Sequence, residues 1–270
     1  MMGVKLGFIG YGNMARALVL GLIEAEALAV SAVRVTDVDA QKKAQAEADF
    51  GGSVARDNVD VARFANYLVI AVKPDHYQGV IDEIKDVLEP GDVVISIAAG
   101  LTLETLEGYF GRAVKLVRTM PNTPALCREG MTALIPNAHI EAEALGQVER
   151  LFAHLGRVQI IDEGLIEAAI VTSGSAPAYL YLMMEAMIQG GMKEGMSREM
   201  ATTFVSQAVI GAGKMVATTH TSPMDLCDAV CSPNGTTIEA VKHLQAQNFG
   251  ETVQNAMAAC AKRSREMSEK

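Results

Sequence analysis

The sequence predicts an α/β protein in two parts, a doubly wound parallel sheet followed by an all-helical region. Up to residue 162, short apolar and β-branched runs alternate with helical patterns, the order expected of a parallel sheet with helices on both faces. From residue 163 onward only helical patterns occur. We therefore predict one domain over residues 1–162 and a second over residues 163–270.

Each predicted strand is a near-continuous apolar run, as expected for strands that are covered on both faces. The strands lie at residues 4–9, 33–37, 67–72, 92–97, 113–118, 131–135 and 157–161. Helical patterns of the first domain cover residues 13–28, 39–48, 58–64, 75–88, 103–109 and 141–154. Those of the second cover residues 163–172, 177–194, 197–218, 222–230, 236–246 and 249–268, with Ser197 and Ser222-Pro223 as helix-start signals.

The composition excludes several classes of protein. The chain has 270 residues, of which 50% are hydrophobic, and a formal net charge of −9, so it is poorly suited to bind nucleic acid. No uninterrupted apolar stretch reaches about 18 residues, so we expect no membrane span. The cysteines lack zinc-ligand spacing and indicate a reducing compartment; we expect no metal site and a cytoplasmic protein. They are Cys127, Cys227, Cys231 and Cys260.

Methionine is concentrated in the helical region, with seven residues between positions 183 and 215. So many apolar faces in a small helical domain favour burial against a second copy of the chain. The alternative is that methionine fills irregular gaps in the core.

The first chemical motif follows the first predicted strand directly and opens a helix. Gly10-Tyr11-Gly12-Asn13-Met14-Ala15 is a GxGxxA pattern in its strand–turn–helix context. Gly10 permits the tight turn, Gly12 lets the backbone approach a pyrophosphate at the helix N-terminus, and Ala15 allows close packing of helix on strand. The motif predicts a dinucleotide site in a Rossmann-like domain; the alternative is a glycine turn without a ligand.

Asp37 ends the second predicted strand. A carboxylate at this position accepts hydrogen bonds from the adenosine ribose and repels a 2′-phosphate, which favours NADH. The alternative is a turn or N-cap aspartate ahead of the helix at residues 39–48.

Three further segments end the third, fourth and fifth strands, where ligands bind in such sheets. They are AVKP at 71–74, SIAAG at 96–100 and RTMPNTP at 118–124. In the helical region, SGSAPAY at 173–179 and SPNGTT at 232–237 stand out. The latter places free backbone N–H groups and three hydroxyls at a helix N-terminus, a geometry that binds carboxylates; the alternative is an elaborate helix cap.

Taken in this order, the motifs resemble those of the pyrroline-5-carboxylate reductase family along nearly the whole chain, beginning with GFIGYGNMA at 7–15. The resemblance implies reduction of the C=N bond of Δ1-pyrroline-5-carboxylate, a cyclic imino acid, to L-proline with NADPH or NADH. It also implies that the helical domains intertwine into a homodimer, with the substrate loop facing the partner's cofactor domain. In the family, dimers often assemble into larger rings.

The resemblance also assigns roles to residues. Those that would hold the dinucleotide, besides Asp37, are Gly10, Gly12, Asn13, Met14, Ala15, Asn58, Ala71, Val72, Lys73 and Pro74. Those near the nicotinamide would be Ala98, Met120, Pro121 and Asn122. Those that would hold the substrate carboxylate are Ser232, Pro233, Asn234, Gly235, Thr236 and Thr237, with Thr237 also hydrogen-bonded to the ring nitrogen as the catalytic residue.

The chain departs from the family pattern at a few positions. Asn234 replaces a glycine of SPGGTT, and Asn tolerates left-handed backbone better than most residues. Ala176 replaces a glycine of SGSGPAY, and Ser222-Pro223 replaces a common His-Pro pair. Members that prefer NADPH often carry Ser or Asn with a nearby Arg after the second strand, so Asp37 leaves the cofactor preference open.

Two alternative functions remain. A 3-hydroxyacid dehydrogenase also pairs a Rossmann domain with a helical one, but the region of its catalytic lysine, Pro177 to Glu185, contains no lysine here. A non-catalytic dinucleotide-sensing regulator would not need the 232–237 loop. No histidine lies in any motif, so we expect the five histidines to be surface or packing residues.

Overall fold

The computed structural model describes residues 3–268, so residues 1, 2, 269 and 270, at the ends of the two predicted domains, lie outside it. Eight strands form one sheet in the order β3-β2-β1-β4-β5-β6-β7-β8. They are β1 (Leu6–Ile9), β2 (Val33–Thr36), β3 (Ser53–Val54), β4 (Tyr67–Ile70), β5 (Val93–Ser96), β6 (Lys115–Met120), β7 (Gly130–Pro136) and β8 (Gly156–Ile160). All seven predicted strands are present. The two-residue edge strand β3 is new, because two residues are too few to show a periodic pattern.

The sheet is doubly wound and parallel, as predicted, with one exception. β6 and β7 pair antiparallel, with Arg118 opposite Ile135. Their connection is a short 3₁₀ turn, Thr123–Cys127, whereas a parallel crossover needs a dozen residues or more. β7 and β8 are again parallel, joined through a helix.

Six helices follow the strands of this sheet, close to their predicted positions. They are α1 (Asn13–Glu24), α2 (Ala40–Phe50), α3 (Asn58–Phe64), α4 (Tyr77–Ile84), α5 (Leu103–Phe110) and α6 (Ala142–Ala153). Successive strand residues enter different cores, as the two-residue period of a strand requires. Val69 lies in a core with α1 and α6, whereas Leu68 and Ile70 lie in a second core with α3, α4 and α5.

The remainder of the chain that the structure describes is helical, as predicted. The helices are α7 (Ile166–Ala169), α8 (Ala176–Lys193), α9 (Arg198–Thr219), α10 (Pro223–Val230), α11 (Thr236–Ala246) and α12 (Phe249–Ser268). The one irregular stretch is residues 163–174, where a 3₁₀ turn, α7 and a π-helical turn, Ile170–Gly174, take the place of one predicted helix.

Two compact units can be distinguished. One comprises the described residues up to Ser175 together with the segment that begins at Ala261, and the other is Ala176–Cys260. The strand pattern ends near the predicted boundary at residue 162, but the first unit extends further because residues 163–175 are bonded to the strand ends. Arg118 Nη1 donates to Glu163 Oε1 at 2.6 Å, and Asn122 Nδ2 donates to the carbonyl of Ser173 at 3.0 Å. Sequence periodicity contains no signal for such long-range contacts.

The unit Ala176–Cys260 has a small core and a large apolar surface. Ile188, Ala201 and Val205 are buried, and Met184 and Met196 pack against them. Many large side chains of the same unit are exposed: Leu180, Tyr181, Leu182, Met183, Met187, Met192, Met200, Phe204, Ile210, Met215, Val216, Met224, Val230, Leu244 and Phe249. Only two of the seven methionines therefore fill the core, and the others leave this unit with apolar faces.

Candidate active site

The glycine turn after β1 is a close crossing of backbones. Gly10 has φ +96°, and its N–H donates to the carbonyl of Thr36 at the end of β2, at 2.8 Å. A Cβ at Gly10 would lie 2.6 Å from the carbonyl oxygen of Ala71, which follows β4. Only glycine satisfies both the positive φ and this contact. The turn thus sits where the ends of β1, β2 and β4 meet.

Gly12 serves a different purpose in the same turn. It is the N-cap residue of α1, with an ordinary φ of −78° and no side-chain cap, and α1 has no acidic residue in its first turn. A Cβ at Gly12 would meet no atom within 4 Å. The first N–H groups of α1 therefore point into open space at the positive end of a 12-residue helix. This cradle fits the pyrophosphate of a dinucleotide.

Asp37 lies beside the turn and is already bonded to it. Its Oδ2 accepts from the N–H of Tyr11 at 2.8 Å, and its Oδ1 accepts from the N–H of Asp39 at 2.9 Å. Lys42 Nζ is 3.5 Å from Oδ2, and the Asp37 side chain is only 7% exposed. The N-cap of α2 is Asp39, so Asp37 is a turn residue and not the cap. This geometry fits both hypotheses for Asp37, that it accepts from the ribose and that it is a turn residue.

A second carboxylate holds the turn from α2. Asp49 accepts from the Tyr11 hydroxyl at 3.1 Å and from Arg16 Nη2 at 2.9 Å. The bonded Arg16 guanidinium lowers the pKa of Asp49 to about 2, whereas burial raises the pKa of Tyr11. Tyr11 is therefore held at its backbone by Asp37 and at its hydroxyl by Asp49. Asp49 was not predicted, because nothing in the glycine motif indicates a partner 38 positions along the chain from Tyr11.

Several predicted cofactor residues line one cleft of about 330 Å³ at the carboxyl ends of the strands. Gly10, Asp37, Asn58 and Val72 lie on its wall, as do His76 and Glu83, which the motif analysis did not assign. Asn58 Nδ2 donates to Glu83 Oε2 at 2.8 Å. His76 is exposed, as expected, but it borders this cleft. Lys73 and Pro74 line a neighbouring cleft together with Ala99 and Gly100.

The residues expected near the nicotinamide lie on adjacent strand ends. Ala98 follows β5 and Met120 ends β6, its neighbour in the sheet. Asn122 is buried and holds the loop together, since its Oδ1 accepts from the N–H of Met131 at 2.9 Å while its Nδ2 donates to Ser173. A Cβ at Gly174 would lie 2.7 Å from Met120 Cε, so Gly174 packs directly against the Met120 side chain.

The 232–237 loop belongs to the other unit and precedes α11. Asn234 has φ +57°, the left-handed conformation that we expected Asn to tolerate in place of glycine. Gly235 is the N-cap of α11 without a side-chain cap, and a Cβ there would lie 2.3 Å from Ser232 Oγ. The N–H groups of Thr236, Thr237 and Ile238 thus open an 11-residue helix without a bonded side chain. Free N–H groups at a helix start are what the predicted carboxylate site requires.

Comparison with known proteins identifies the family. Residues 163–267 match the family described as pyrroline-5-carboxylate reductase dimerisation, and residues 5–100 match NADP oxidoreductase, coenzyme F420-dependent. The pyrroline-5-carboxylate reductase of Escherichia coli (strain K12) is 40% identical over 264 residues, which cover 98% of both chains. The chain belongs to the pyrroline-5-carboxylate reductase family.

Two solved structures share the fold along the whole chain. A pyrroline-5-carboxylate reductase from Coxiella burnetii, 36% identical, has a TM-score of 0.90 and covers 98% of both chains. The Plasmodium falciparum pyrroline carboxylate reductase with NADP bound, 32% identical, has a TM-score of 0.91 and covers 99% of both chains. Membership of the reductase family argues against the alternative hypothesis of a 3-hydroxyacid dehydrogenase.

Within residues 3–268, no group of three or more His, Cys, Asp or Glu side chains is placed to hold a metal ion. In the same range, no helix combines the length and the apolar character that crossing a bilayer requires.

Proposed function

We propose that this chain reduces the C=N bond of Δ1-pyrroline-5-carboxylate with NADPH or NADH to give L-proline, the last step of proline biosynthesis. The observation that carries the proposal is the 40% identity, over nearly the whole chain, to a protein named pyrroline-5-carboxylate reductase. The two site geometries support it: a glycine cradle suited to a dinucleotide and a helix N-terminus suited to a small carboxylate.

The cofactor half of the site would bind the dinucleotide through backbone N–H groups and through the shape of the cleft. Gly12 leaves room above the first N–H groups of α1, where the residues Asn13, Met14 and Ala15 would receive the pyrophosphate. Asp37 and Asn58 line the cleft where the adenosine would lie. Ala71, Val72, Lys73 and Pro74 follow β4, and Ala98, Met120, Pro121 and Asn122 follow β5 and β6 around the nicotinamide position. The bound cofactor supplies the hydride.

The substrate half acts by positioning and electrostatics. The N–H groups at the start of α11 would receive the carboxylate, with Ser232 to Thr236 forming the turn that presents them. Thr237 is the second residue of α11, and its hydroxyl has no hydrogen-bond partner among the described residues. It would hold the ring nitrogen, which changes from an iminium cation to a neutral amine as the hydride arrives. A protonated imine is already a good acceptor, so no side chain with an unusual pKa is needed.

The apolar surface of Ala176–Cys260 supports a homodimer. Its exposed Leu, Met and Phe side chains form more apolar surface than a monomeric domain normally leaves in water. The same region falls within the match to the dimerisation family, residues 163–267. Assembly of dimers into larger rings remains an expectation from the resemblance. Cys127, Cys227 and Cys231 form no disulfide among the described residues, which supports a reducing, cytoplasmic location.

The direct test is oxidation of NADPH and of NADH by the purified protein with a panel of cyclic imines and 3-keto acids. Turnover with pyrroline-5-carboxylate and release of proline are expected. Turnover with a 3-keto acid and none with the imine would overturn the proposal. Binding of dinucleotide without turnover of any compound would instead support the sensing regulator.

The role of Thr237 is tested by Thr237→Ala. We expect kcat/KM for the imine to fall about 10–100-fold, because a positioned hydroxyl is lost while the carboxylate-binding N–H groups remain. Thr237→Ser should be milder, and cofactor affinity should hardly change. Ser197→Ala is the matched control, since the Ser197 hydroxyl caps α9 through Met200 N at 3.2 Å and lies far along the chain from the loop. If Thr237→Ala lowers only stability, as the control should, Thr237 is a cap and not a catalytic residue.

A further inference from the structure

A buried polar cluster joins three strand ends of the candidate active site. Ser96, the last residue of β5, donates through Oγ to the Tyr77 hydroxyl at 3.2 Å and accepts at Oγ from the N–H of Ala98 at 3.3 Å. Tyr77, the first residue of α4, donates in turn to the carbonyl of Ile70 at the end of β4. Thr119 in β6 donates through Oγ1 to the carbonyl of Ser96 at 3.1 Å.

The members of this cluster are shielded from water. Tyr77 and Ser96 have no exposed surface, and Thr119 is 1% exposed. Burial raises the pKa of Tyr77, so its hydroxyl stays protonated and donates to Ile70 at all working pH values. In such a medium an unbonded donor or acceptor is unfavourable by about 1–3 kcal/mol, so each bond keeps its partners in place.

Each strand end in the cluster leads into a loop expected to hold the cofactor, with the loop after β4 on the dinucleotide and the loops after β5 and β6 at the nicotinamide. Ala71 and Val72 follow Ile70, Ala98 is bonded to Ser96, and Met120 follows Thr119. The side chains of Tyr77, Ser96 and Thr119 are buried, so they act through the backbone and not by touching a ligand. Ser96 opens the SIAAG segment, which carries no sign of its bond to Tyr77, and Tyr77 lies outside every motif.

We propose that Ser96 and Tyr77 are positioning residues which set the places of the two loops at the nicotinamide, after β5 and β6, relative to the cofactor loop after β4. The inference rests on the proposed function, because it assigns a purpose to the geometry around Ala98 and Met120. A shift of about 1 Å at the reacting centre reduces the rate by up to about 100-fold, whereas the adenosine end of the cofactor would be unaffected. The cluster is thus expected to influence kcat much more than cofactor affinity.

The experiment compares Tyr77→Phe, Ser96→Ala and the double variant with Tyr67→Phe as the control. Tyr67 begins β4 at the opposite end of the strand and is half-buried, so its loss tests a tyrosine hydroxyl remote from the loops. We expect kcat with the imine to fall roughly 3–10-fold for Tyr77→Phe and roughly 10–100-fold for Ser96→Ala. The dissociation constant for NADPH, read from cofactor fluorescence, should change less than about threefold.

Two readouts separate positioning from a general loss of stability. The primary isotope effect with 4-deuterated NADPH should rise in both variants as hydride transfer becomes slower than the other steps. In the protein without cofactor, hydrogen exchange at the Ala98 N–H should be faster in Ser96→Ala, which removes its acceptor at 3.3 Å, and faster still in the double variant, which also removes the Tyr77 hydroxyl beside it. In kcat, the double variant should be little worse than Ser96→Ala, because both substitutions break one cluster.

Unchanged kcat, isotope effect and Ala98 exchange in folded Tyr77→Phe and Ser96→Ala proteins would overturn the inference while leaving the proposed function intact. Additive effects in the double variant would also count against a single cluster. If Ser96→Ala does not fold, Tyr77→Phe carries the test, since it removes one oxygen without leaving a cavity. If the unaltered protein turns over no imine, it is the proposed function that fails, and the Ala98 exchange result still reports on the cluster.

Discussion

The two glycines of the turn after β1 are expected to respond in opposite ways to the same added methyl group. Gly10 has φ +96°, and a Cβ there would lie 2.6 Å from the carbonyl oxygen and 2.8 Å from the carbonyl carbon of Ala71. Gly12 has φ −78°, and a Cβ there would meet nothing within 4 Å. Gly10→Ala is therefore a test of the fold, and Gly12→Ala is a test of the cofactor cradle.

The magnitude for Gly10→Ala comes from two sources. An alanine at such a φ stores roughly 1–3 kcal/mol of backbone strain. Forcing a methyl against the Ala71 backbone adds about 1–3 kcal/mol of overpacking, because neither strand end can move freely. We expect the free energy of unfolding to fall by about 2–6 kcal/mol in total, which corresponds to a Tm lower by roughly 5–20 °C.

Gly12→Ala should leave Tm almost unchanged. Alanine is a poorer N-cap than glycine by less than about 1 kcal/mol, and the reduced freedom of the unfolded chain offsets part of that. Its methyl would nevertheless occupy the space above the N–H groups of α1 that a pyrophosphate needs. Weakening one or two charge-assisted hydrogen bonds, at about 1.5–3 kcal/mol each, should raise the Kd for NADPH about 10–100-fold.

The assays are thermal unfolding without cofactor and fluorescence titration with NADPH, applied to both variants. The expected pattern is a stability defect in Gly10→Ala alone and an affinity defect in Gly12→Ala without a stability defect. Wild-type affinity in Gly12→Ala would show that the pyrophosphate does not pass over α1. Wild-type stability in Gly10→Ala would refute the reasoning from φ and the Ala71 contact.

Two carboxylates that are hydrogen-bonded to Tyr11 in the turn, Asp37 and Asp49, give predictions of their own. Asp37→Ser should raise the NADPH/NADH ratio of kcat/KM, because it removes a carboxylate at the end of β2, and an unchanged ratio would show that Asp37 does not face the 2′ position. Asp49→Asn should lower Tm near neutral pH. Because Arg16 depresses the pKa of Asp49 from 3.8 to about 2, this stabilisation is fully present above pH 3.8 and is lost as the pH falls toward 2. The Tm difference between wild type and variant should therefore shrink over that interval, and a constant difference down to pH 2 would contradict the assignment.

The sequence predicts the fold well where the signal is local. The strand period, the helix period and the start signals Ser197 and Ser222 all arise within a few residues of the element they define, and the helices that follow them begin at Arg198 and Pro223. The antiparallel pairing of β6 with β7 could not be predicted in this way, because it depends on the length of the connection between them and not on the period of the apolar residues. The extension of the first unit to Ser175 depends on contacts of Arg118 and Asn122 with residues about 45–51 positions away.

The residues of the candidate site also fall into two groups, those with a local sequence signal and those that depend on long-range contacts. Gly10, Gly12, Asn234 and Gly235 could be predicted because each requirement is a backbone conformation or a missing side chain, which a motif records directly. Asp49, Ser96 and Tyr77 could not, because their part in the site depends on a partner elsewhere in the chain. Glu83 could not be predicted for the same reason, because it is linked to the cleft by its hydrogen bond to Asn58, 25 positions away in the chain.

Asp37 shows why a motif residue can combine two purposes that the sequence presents as alternatives. An ionised carboxylate offers about four acceptor positions. Two are taken by the N–H groups of Tyr11 and Asp39, and Lys42 lies at 3.5 Å, which leaves capacity for a ribose hydroxyl. The Tyr11 bond also means that Asp37 helps to hold the glycine turn, with Asp49 bonded to the hydroxyl of the same tyrosine. Asp37→Ser should therefore weaken both cofactors through the turn and NADH further through the ribose, so that only the ratio of the two isolates the specificity role.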